Sequence, residues 1–544
     1  MSTREDTGPV PGSPSNVADL VRAAAIRDPD HIALLSLSTA SSAGAASHPD
    51  ELTWADLDRR VDDVARGLTA EGLRSGDRVA LRMSNTATFP IAYFAILRAG
   101  LVVVPVNPAY TGRELSHILS DSGARLLLTS RDLPDPTGLA DFAYPPDLSV
   151  RFDLPVGDRD PAERQVDSVG GNEDLAVLMY TSGTTGVPRG AMLPHRALLA
   201  NLDQCCALEP PPMTRDDVVL LVLPLFHIYG LNAGLGMIAR TGATGVLMDR
   251  FDVAGSLKLM TDRKVTNVPG APPMYVAWLA RADRGQLAEA FSAVRVATSG
   301  AAPLPADVLE QMRGLGVEVF EGYGLTETAP VLTSTLATGR VKAGSIGQPI
   351  PQVELRLREE GLPHDADGEV HSVDSEDPFD DLHDDEGATG EILVRGENLF
   401  LGYWPDRTEA PDADGWFPTG DVAYRDVEGD LHLVDRRRDL ILVSGFNVYP
   451  REVELVLAGH PEIEEAAVLG VEDEATGEGV RAVVVLAQDS ELTETQVRDY
   501  AATRLARFKC PTSVEVVDEL PHSVTGKVSK ARLRELGFAD HRRS

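Results

Sequence analysis

Short apolar runs alternate with segments of helical periodicity from residue 16 to residue 298, and this alternation limits the fold more than any other feature. Apolar side chains recur at helical spacing between Leu57 and Leu68, residues 78–83 have the composition of a strand, and a helical segment over 89–99 leads into the apolar run LVVVPV at 101–106. Strand, helix and strand at this spacing predict right-handed crossovers and a parallel sheet. Further strands are predicted at 126–129, 175–180, 218–223, 246–248 and 294–298.

The length of 544 residues exceeds what one hydrophobic core can organise, so at least two domains are expected. Toward the C-terminus the predicted elements become shorter, with helices at 450–458 and 494–505 and strands at 465–471, 480–487 and 513–517. This pattern is typical of a small α+β domain. We therefore predict an α/β fold with a large N-terminal domain over 1–436 and a small C-terminal domain over 437–544.

Two segments, 132–172 and 360–389, are predicted to lack regular structure. The first is rich in Pro, Asp and Gly, and the second contains DSEDPFDDLHDDEGATG between predicted strands at 352–358 and 390–395. Because the second segment is acidic and poor in apolar side chains, we predict a solvated loop. An acidic run can also bind divalent cations, but nothing in this spacing fixes a ligand geometry.

The chain is strongly acidic, with 84 Asp and Glu against 50 Lys and Arg and a formal charge of −34. Such a surface repels nucleic acid and anionic membranes, which excludes a nucleic-acid partner. The lysines are few: Lys258, Lys264, Lys342, Lys509, Lys527 and Lys530. A GC-rich genome would replace Lys by Arg, but it would not add carboxylates. The excess of carboxylates favours a protein adapted to high salt, where screening relieves the self-repulsion.

The three cysteines, Cys205, Cys206 and Cys510, offer neither a disulfide framework nor metal-ligand spacing. The N-terminal sequence MSTREDTGPVPGSPSN lacks the basic and apolar regions of a signal peptide. The longest apolar stretch, 218–248, contains His227, Arg240 and several glycines, which favours a buried strand, loop and helix over a membrane span. We therefore expect a cytoplasmic protein without an integral membrane segment.

The most specific motif is YTSGTTGVPRG at 180–190. It places hydroxyls and glycine amides in one turn after a strand, where many donors can face a polyphosphate. The string does not match the GxxxxGK[ST] pattern, so a P-loop fold is not implied. A polar hairpin turn is the alternative explanation of this segment alone. The residues concerned are Thr181, Ser182, Gly183, Thr184, Thr185, Gly186 and Arg189.

Five further motifs follow in order: SGAAPL from Ser299, EGYGLTET with Tyr323, GWFPTGD ending at Asp421, DRRRDLILVSGFNVYPREVE at 435–454, and LPHSVTGK ending at Lys527. The small SGAAPL turn lets a planar ring approach the backbone. A tyrosine between glycines can lie on a flat base, and the hydroxyl and carboxylate that follow it suit phosphate and Mg²⁺. The Asp421 carboxylate suits ribose hydroxyls.

Together, these six motifs resemble the adenylate-forming superfamily of acyl-CoA synthetases, adenylation domains and luciferases, most of all the fatty-acyl-CoA and aryl-CoA ligases. The resemblance extends over roughly residues 16–536. It implies stacked α/β sheets plus a small distorted barrel in the N-terminal domain, followed by a small mobile C-terminal domain. The implied reaction converts a small carboxylic acid to an acyl-adenylate and then to a coenzyme A thioester, with ATP and Mg²⁺.

The resemblance also implies roles for individual residues, of which Lys527 is central because it would bridge the acyl carboxylate and the phosphate. Arg438 would be the hinge, and His227 would lie near the acyl carboxylate. The remaining implied roles are these: Thr181 to Gly186 on the β- and γ-phosphates, Thr326 on the α-phosphate, Glu327 on Mg²⁺, Tyr323 and Gly324 with Ser299, Gly300, Ala301 and Ala302 around adenine, Asp421 and Arg436 on the ribose, Ser444, Gly445 and Phe446 along the pantetheine channel, and Phe508 and Lys509 at the coenzyme A nucleotide.

The chain departs from the family pattern at Arg189, where the phosphate loop usually carries Lys. Arginine keeps the charge but is a planar fork and not a compact ammonium. The acidic segment near 360–389 is longer than the family connection, and Cys510 and Thr512 stand where some relatives have basic residues. Adenylation is therefore a firmer expectation than coenzyme A binding.

The sequence narrows the range of possible carboxylic acid substrates but does not identify one. Amino-acid adenylating domains usually read Phe-Asp where this chain has Phe226-His227, and the stretch before Asp421 lacks the insertion of acyl-AMP ligases. Small residues (Gly230, Gly234, Gly236, Ala301) and apolar ones (Ile228, Tyr229, Met237, Val331, Leu332) are predicted to form an acyl pocket. We expect a medium- or long-chain fatty acid, with a cinnamate- or benzoate-type acid, an acyl-AMP ligase or a non-catalytic nucleotide-binding relative as alternatives. The oligomeric state stays open, a homodimer included.

Overall fold

The structure is a computed structural model that describes residues 14–36, 51–139, 145–157, 165–181, 188–359, 389–436, 441–443, 446–448, 450–473, 477–488, 490, 492–505, 507–522 and 528–538. Several residues singled out in the sequence therefore lie outside the described residues: Ser182, Gly183, Thr184, Thr185, Gly186, Arg438, Ser444, Gly445, Lys527 and the acidic segment 360–388.

The described residues form α-helices and β-strands that alternate through most of the chain. The helices are α1 (Asp19–Arg27), α2 (Trp54–Ala70), α3 (Thr88–Arg98), α4 (Gly112–Ser122), α5 (His195–Cys206), α6 (Met237–Thr241), α7 (Val253–Arg263), α8 (Pro272–Arg281), α9 (Arg284–Ala290), α10 (Ala306–Arg313), α11 (Pro450–Ala458), α12 (Glu494–Ala502) and α13 (Lys530–Glu535).

The strands are β1 (Ile32–Ser36), β2 (Glu51–Thr53), β3 (Arg78–Arg82), β4 (Val102–Pro105), β5 (Leu126–Thr129), β6 (Ser149–Arg151), β7 (Leu175–Thr181), β8 (Arg189–Pro194), β9 (Val218–Leu221), β10 (Thr244–Leu247), β11 (Asn267–Gly270), β12 (Val296–Ser299), β13 (Val319–Gly324), β14 (Val331–Ser334), β15 (Gln348–Pro349), β16 (Glu354–Glu359), β17 (Thr389–Arg395), β18 (Phe417–Arg425), β19 (Leu431–Arg436), β20 (Ile441–Val443), β21 (Phe446–Val448), β22 (Ile463–Asp473), β23 (Gly477–Leu486) and β24 (Ser513–Val517).

Two large sheets organise the N-terminal part. The six-stranded sheet has the order β6-β5-β3-β4-β7-β8, and the nine-stranded sheet has the order β15-β14-β13-β12-β11-β9-β10-β1-β2. The inner pairs, such as β3 with β4 and β12 with β13, are parallel. Strand β8, the edge strands β2 and β15, and β14 next to β15 are antiparallel to their neighbours. The predicted parallel pairing of strands that are joined through helices is therefore confirmed.

Helices separate and cover these sheets, so that the large domain is layered. Helices α2 and α3 belong to a core that also contains Leu34 of β1 and Leu81 of β3, which places them between the two sheets. A second core packs α7 to α10 on the outer face of the nine-stranded sheet, and a third packs α4 on the outer face of the six-stranded sheet. Because both faces of each parallel sheet are covered, their strands are apolar on both sides.

Two smaller sheets complete the described fold. Strands β16 to β19 form a four-stranded antiparallel sheet, and a bridge between Gly347 and Leu431 connects it to the end of β15. This sheet stands where a small barrel was expected; among the described residues its strand order is open, so closure into a barrel stays a prediction. Strands β20 to β24 form a five-stranded sheet, which packs against α11 and α12 in the small C-terminal domain.

Two details of the secondary structure differ from expectation. Segment 132–172 contains β6, which pairs with β5 as an edge strand, so the prediction of no regular structure was wrong there. Its backbone hydrogen bonds to β5 outweigh its polar composition. In the apolar stretch 218–248 the chain forms a π-helical segment, Tyr229–Gly236, before α6. Among the described residues, no helix is both long enough and apolar enough to cross a membrane.

A buried ion network joins the first three helices. The guanidinium of Arg98 in α3 pairs with Asp58 at 2.8 Å and with Asp62 at 2.7 Å, both in α2. Arg22 of α1 pairs with the same two carboxylates, at 2.7 and 2.8 Å. Only 1% of the Arg98 side chain is exposed, so its charge depends on these partners for compensation.

Replacing Arg98 by Met should destabilise the fold by about 3–5 kcal/mol, because the buried carboxylates of Asp58 and Asp62 would lose a cation. Urea unfolding measures the change in free energy. Arg313→Met is the matched control: Arg313 pairs with Glu318 on the surface, where both side chains are about half exposed, so a loss of about 0–1 kcal/mol is expected. Equal losses in the two variants would contradict the proposed role of the network.

Candidate active site

A cleft of about 2980 Å³ collects most of the motif residues that the structure describes. The carboxyl ends of β12 and β13 open into it, as expected for a parallel α/β sheet. The residues predicted from the sequence that line this cleft are Thr181, Arg189, His227, Ser299, Gly300, Ala301, Ala302, Tyr323, Gly324, Thr326, Glu327, Asp421 and Lys509. Residues far apart in the sequence are thus brought to one place.

The phosphate-loop motif lies on a β-hairpin. Strand β7 ends at Thr181, and Arg189 begins β8, so that Thr181 and Arg189 are paired across the antiparallel strands. From the sequence alone, a hairpin turn and a polyphosphate site were alternative explanations of this motif. The strand pairing is compatible with both. Arg189 Nη1 donates to Glu409 at 2.8 Å and Nη2 donates to Thr408 at 3.2 Å, so its charge is already paired.

Tyr323 and Asp421 meet although they come from different sheets. The Tyr323 hydroxyl at the end of β13 donates to Asp421 Oδ2 at 2.7 Å, and both residues are buried. Asp421 is also the cross-strand neighbour of Arg436 in β19. This arrangement orients the Asp421 carboxylate in the cleft and fixes the Tyr323 ring beside it, which suits the base and sugar roles that the resemblance implies for them.

The SGAAPL turn begins at the end of β12 and is held by tight packing. A Cβ on Gly300 would lie 3.2 Å from the Tyr229 ring, and Ala301 adopts a left-handed φ of 69°. Such a conformation is uncommon for a residue other than glycine and marks a constrained turn. Tyr229 is itself placed by a contact of 3.3 Å between its hydroxyl and Thr298 Oγ1. The turn therefore presents a fixed wall to the cleft.

Glu321 is a site residue that the sequence reasoning missed. It is the cross-strand partner of Ser299, and its Oε2 accepts from the Leu304 amide at 3.0 Å. Burial raises the pKa of Glu321 to about 7. Its Oε1 and the Ser299 Oγ are buried without a hydrogen-bond partner among the described residues. The signal in the sequence was an acidic residue directly before the glycine and tyrosine of its motif, at the end of a buried strand.

Glu327 is oriented from two directions. Its backbone carbonyl accepts from the Phe400 amide at 2.9 Å, and its Oε1 accepts a short hydrogen bond from the Tyr403 hydroxyl. The second carboxylate oxygen leaves a ligand for a cation in the cleft. Mg²⁺ prefers oxygen ligands, usually from one or two carboxylates and from the phosphates of the substrate. The Glu327 carboxylate in this cleft fits that preference.

His227 lies at the end of the cleft that leads to the apolar pocket. Its Nδ1 accepts from the Tyr229 amide at 3.2 Å, and burial lowers the pKa of the imidazole to about 4. The ring is therefore neutral at pH 7, with its proton on Nε2. A neutral imidazole can hydrogen-bond a carboxylate but does not supply a counter-charge.

The apolar end of the cleft differs from the pocket that the sequence predicts. Ile228, Tyr229, Met237, Val331 and Ala301 do line it, joined by Cys205, Leu208, Pro212 and Met213. The glycines do not enlarge it: a Cβ on Gly230 would meet the Pro224 carbonyl at 2.3 Å, and one on Gly234 would meet Leu221 at 2.7 Å. These glycines let the π-helical segment pack on the end of β9, so their assignment to the pocket was wrong.

The C-terminal domain contributes charged residues to the same cleft. Lys509 lines it, and its Nζ pairs with Glu452 at 2.7 Å. Phe508 packs on the core of the small domain, with Lys509 Nζ 5.8 Å from the centre of its ring. Phe446 lies in β21, beside the part of the motif that falls outside the described residues.

Comparison with known proteins agrees with this geometry. Residues 21–404 match the family of AMP-binding enzymes, and residues 452–527 match the AMP-binding enzyme C-terminal domain. The chain is 37% identical to the long-chain-fatty-acid–CoA ligase of Yersinia pestis, over 88% of this chain and 89% of that protein. It is 38% identical to a feruloyl-CoA synthase of an Amycolatopsis species, over 89% and 93%.

The fold is also similar to that of solved structures. The crystal structure of ATP-bound MatB from Rhodopseudomonas palustris superposes with a TM-score of 0.81 at 31% identity, covering 96% of this chain and 99% of MatB. Family match, curated relatives and fold thus point to one conclusion. The chain belongs to the family of AMP-binding enzymes, and it is an AMP-forming acyl-CoA synthetase, which uses ATP and coenzyme A to activate a small carboxylic acid.

Proposed function

We propose that this enzyme activates a medium- or long-chain fatty acid. The observation that carries the proposal is the apolar end of the cleft, which is lined by flexible aliphatic and sulfur-containing side chains such as Leu208, Met213 and Met237. Asn267 is a polar residue in this wall, and its side-chain amide is engaged in a hydrogen bond to the Pro212 carbonyl at 2.5 Å. An alkyl chain gains free energy along such a wall, whereas ring hydroxyl or methoxy groups would lose hydrogen bonds to water.

A relative named long-chain-fatty-acid–CoA ligase supports this choice. The feruloyl-CoA synthase, of similar identity, supports a phenylpropenoic acid as the second candidate. Overall identity does not separate the two, so we base the choice on the apolar wall of the pocket. We keep the aryl acid as the alternative that the experiment must exclude.

In the first half-reaction a carboxylate oxygen attacks the α-phosphorus of ATP, and the bond to pyrophosphate breaks. We assign the β- and γ-phosphates to Thr181 and Ser182 to Gly186, the α-phosphate to Thr326, and Mg²⁺ to Glu327. Tyr323, Gly324 and the SGAAPL turn would hold adenine, and Asp421 with Arg436 would hold the ribose. Bound Mg²⁺ would supply positive charge to the phosphate oxygens, and Lys527 would supply it where carboxylate and phosphate meet.

In the second half-reaction the sulfur of coenzyme A attacks the acyl carbon, and AMP leaves. We propose that the C-terminal domain, with a boundary at 436/437, turns at Arg438 to bring Ser444, Gly445 and Phe446 along the pantetheine. Phe508 and Lys509 would then meet the coenzyme A nucleotide. Domain closure excludes water, which would hydrolyse the adenylate. A cytoplasmic location stays a prediction, and the oligomeric state stays open.

The central prediction is CoA-dependent AMP formation with fatty acids. A panel from acetate to palmitate, with benzoate, cinnamate and ferulate, should give the highest kcat/KM between octanoate and palmitate. Lys527→Ala should slow adenylation by about 10²–10³, the usual effect of one positioned charge. The panel is run at low and at molar salt, because the charge of −34 predicts higher activity in salt.

Three results would contradict the proposal, each in its own way. Highest turnover with ferulate would replace the fatty acid by the aryl acid. Adenylate and pyrophosphate without thioester would indicate an acyl-AMP ligase. ATP binding without turnover of any acid would indicate a non-catalytic relative.

Met213 should limit the length of the acyl chain. It is 5% exposed and lines the cleft on a proline-rich loop, whose Pro211 carbonyl accepts from Arg295 at 3.2 Å. Met213→Ala should move the preferred chain length upward by about two or three carbons, with a gain of roughly tenfold in kcat/KM for the longer acid. Met260→Ala is the control, since Met260 belongs to α7 and is fully buried in a core away from the cleft lining. An unchanged chain-length profile in Met213→Ala would remove this loop from the pocket.

A further inference from the structure

The segment that follows Asn398 runs along β8 as an additional edge. The Leu401 amide donates to the Met192 carbonyl at 2.9 Å, the Met192 amide to Gly402 at 3.1 Å, and the Trp404 amide to Gly190 at 2.8 Å. Since β8 is the second strand of the phosphate-loop hairpin, this segment is fixed directly beside the candidate triphosphate site. Its side chains are positioned as precisely as those of a strand.

Tyr403 occupies the centre of this segment and contacts Glu327. Its hydroxyl donates to Glu327 Oε1, while the Phe400 ring packs edge-on at 5.2 Å. The Phe400 amide also donates to the Glu327 carbonyl at 2.9 Å. One segment therefore holds both the backbone and the carboxylate of Glu327.

Arg189 fixes the other side of the Tyr403 ring. The centre of its guanidinium lies 3.7 Å from the ring centroid, close enough for a cation–π contact. Its Nη1 and Nη2 bind Glu409 and Thr408, and the Tyr403 amide donates to the Thr408 carbonyl at 2.9 Å. A planar guanidinium can stack and form two directed hydrogen bonds at once, which an ammonium cannot do.

We propose that Tyr403 is a positioning residue for Glu327, and that Arg189 acts on the reaction through the Tyr403 ring and not through the phosphates. The inference rests on the proposed function, in which Glu327 is the Mg²⁺ ligand. A glutamate side chain has three rotatable bonds, and a hydrogen bond on Oε1 restricts them before the cation arrives. Oε2 is left in the cleft for the metal. Outer hydrogen bonds of this kind typically change metal affinity by about 10–100-fold.

The test measures ATP binding by calorimetry over a range of Mg²⁺ concentrations, without acid or coenzyme A. Tyr403→Phe keeps the ring and its contact with Arg189 but removes the donor. In this variant the Mg²⁺ concentration that gives half of the maximal increase in ATP affinity should rise roughly tenfold. The ATP affinity measured without Mg²⁺ should stay unchanged. Tyr93→Phe is the matched control, because the Tyr93 hydroxyl is buried without a hydrogen-bond partner among the described residues. It should leave the Mg²⁺ profile at the wild-type position.

Two further variants separate the possible failures. Glu327→Gln alone should weaken the dependence of ATP affinity on Mg²⁺. The double variant Glu327→Gln/Tyr403→Phe should show the same Mg²⁺ profile as Glu327→Gln. If Glu327→Gln has no effect on the Mg²⁺ profile, the assignment of the metal to Glu327 fails. If Glu327→Gln acts and Tyr403→Phe does not, or if Tyr403→Phe weakens ATP equally with and without Mg²⁺, the positioning role is overturned.

Arg189→Ala tests the second half of the inference with the same titration. It should raise the Mg²⁺ midpoint by a smaller factor, about threefold, because the ring loses its stacking partner but keeps its hydroxyl. A loss of ATP affinity that is the same at every Mg²⁺ concentration would mean that Arg189 contacts the phosphates directly. Thermal unfolding of each variant, run in parallel, identifies any that is merely destabilised.

Discussion

Parallel pairing of β12 with β13 is the constraint on which the rest of the site depends. Their register sets Ser299 beside Glu321 and brings two motifs, more than twenty residues apart, to one edge of the nine-stranded sheet. Carboxyl ends of parallel strands meet at a common edge by topology alone. The two segments that leave this edge, the SGAAPL turn and the turn through Thr326, must therefore diverge around a cleft. The substrate site follows from the order of the strands.

A second constraint comes from the antiparallel sheet, since one hydrogen bond joins it to that edge. The bond from Tyr323 to Asp421 is buried, and a buried polar pair costs free energy when it is broken. Together with the bridge between Gly347 and Leu431, it holds the antiparallel sheet against the nine-stranded sheet. Because β19 pairs with β18 and leads toward the C-terminal domain, the same bond relates this side of the cleft to the segment where the domain boundary is proposed.

The sequence predicted well what depends on periodicity and composition. The strands at 126–129 and 175–180 and the helix at 450–458 appear within one residue of their expected ends. It failed where a residue's role is set by a distant partner. Gly230 and Gly234 of the π-helical segment looked like space for a substrate, but Gly230 faces backbone carbonyls just after β9 and Gly234 faces the Leu221 side chain at the end of β9. Glu321 was overlooked because its importance lies in burial beside β12, and Tyr403 because its contact with Glu327 spans 76 residues.

The scarcity of lysine in this acidic chain helps to explain why Arg189 stands in the phosphate loop where the family pattern has a lysine. Of the lysines in the described part of the chain, Lys258, Lys342, Lys509 and Lys530 are paired with carboxylates, as expected in so acidic a surface. An unpaired cation at the loop would be drawn to the nearest carboxylate, here Glu409. The paired guanidinium of Arg189 also stacks on Tyr403, which a compact ammonium could not do in the same way. The acidity of the protein and the arginine in its loop are thus consistent: the charge that neutralises Glu409 also holds the ring that orients Glu327.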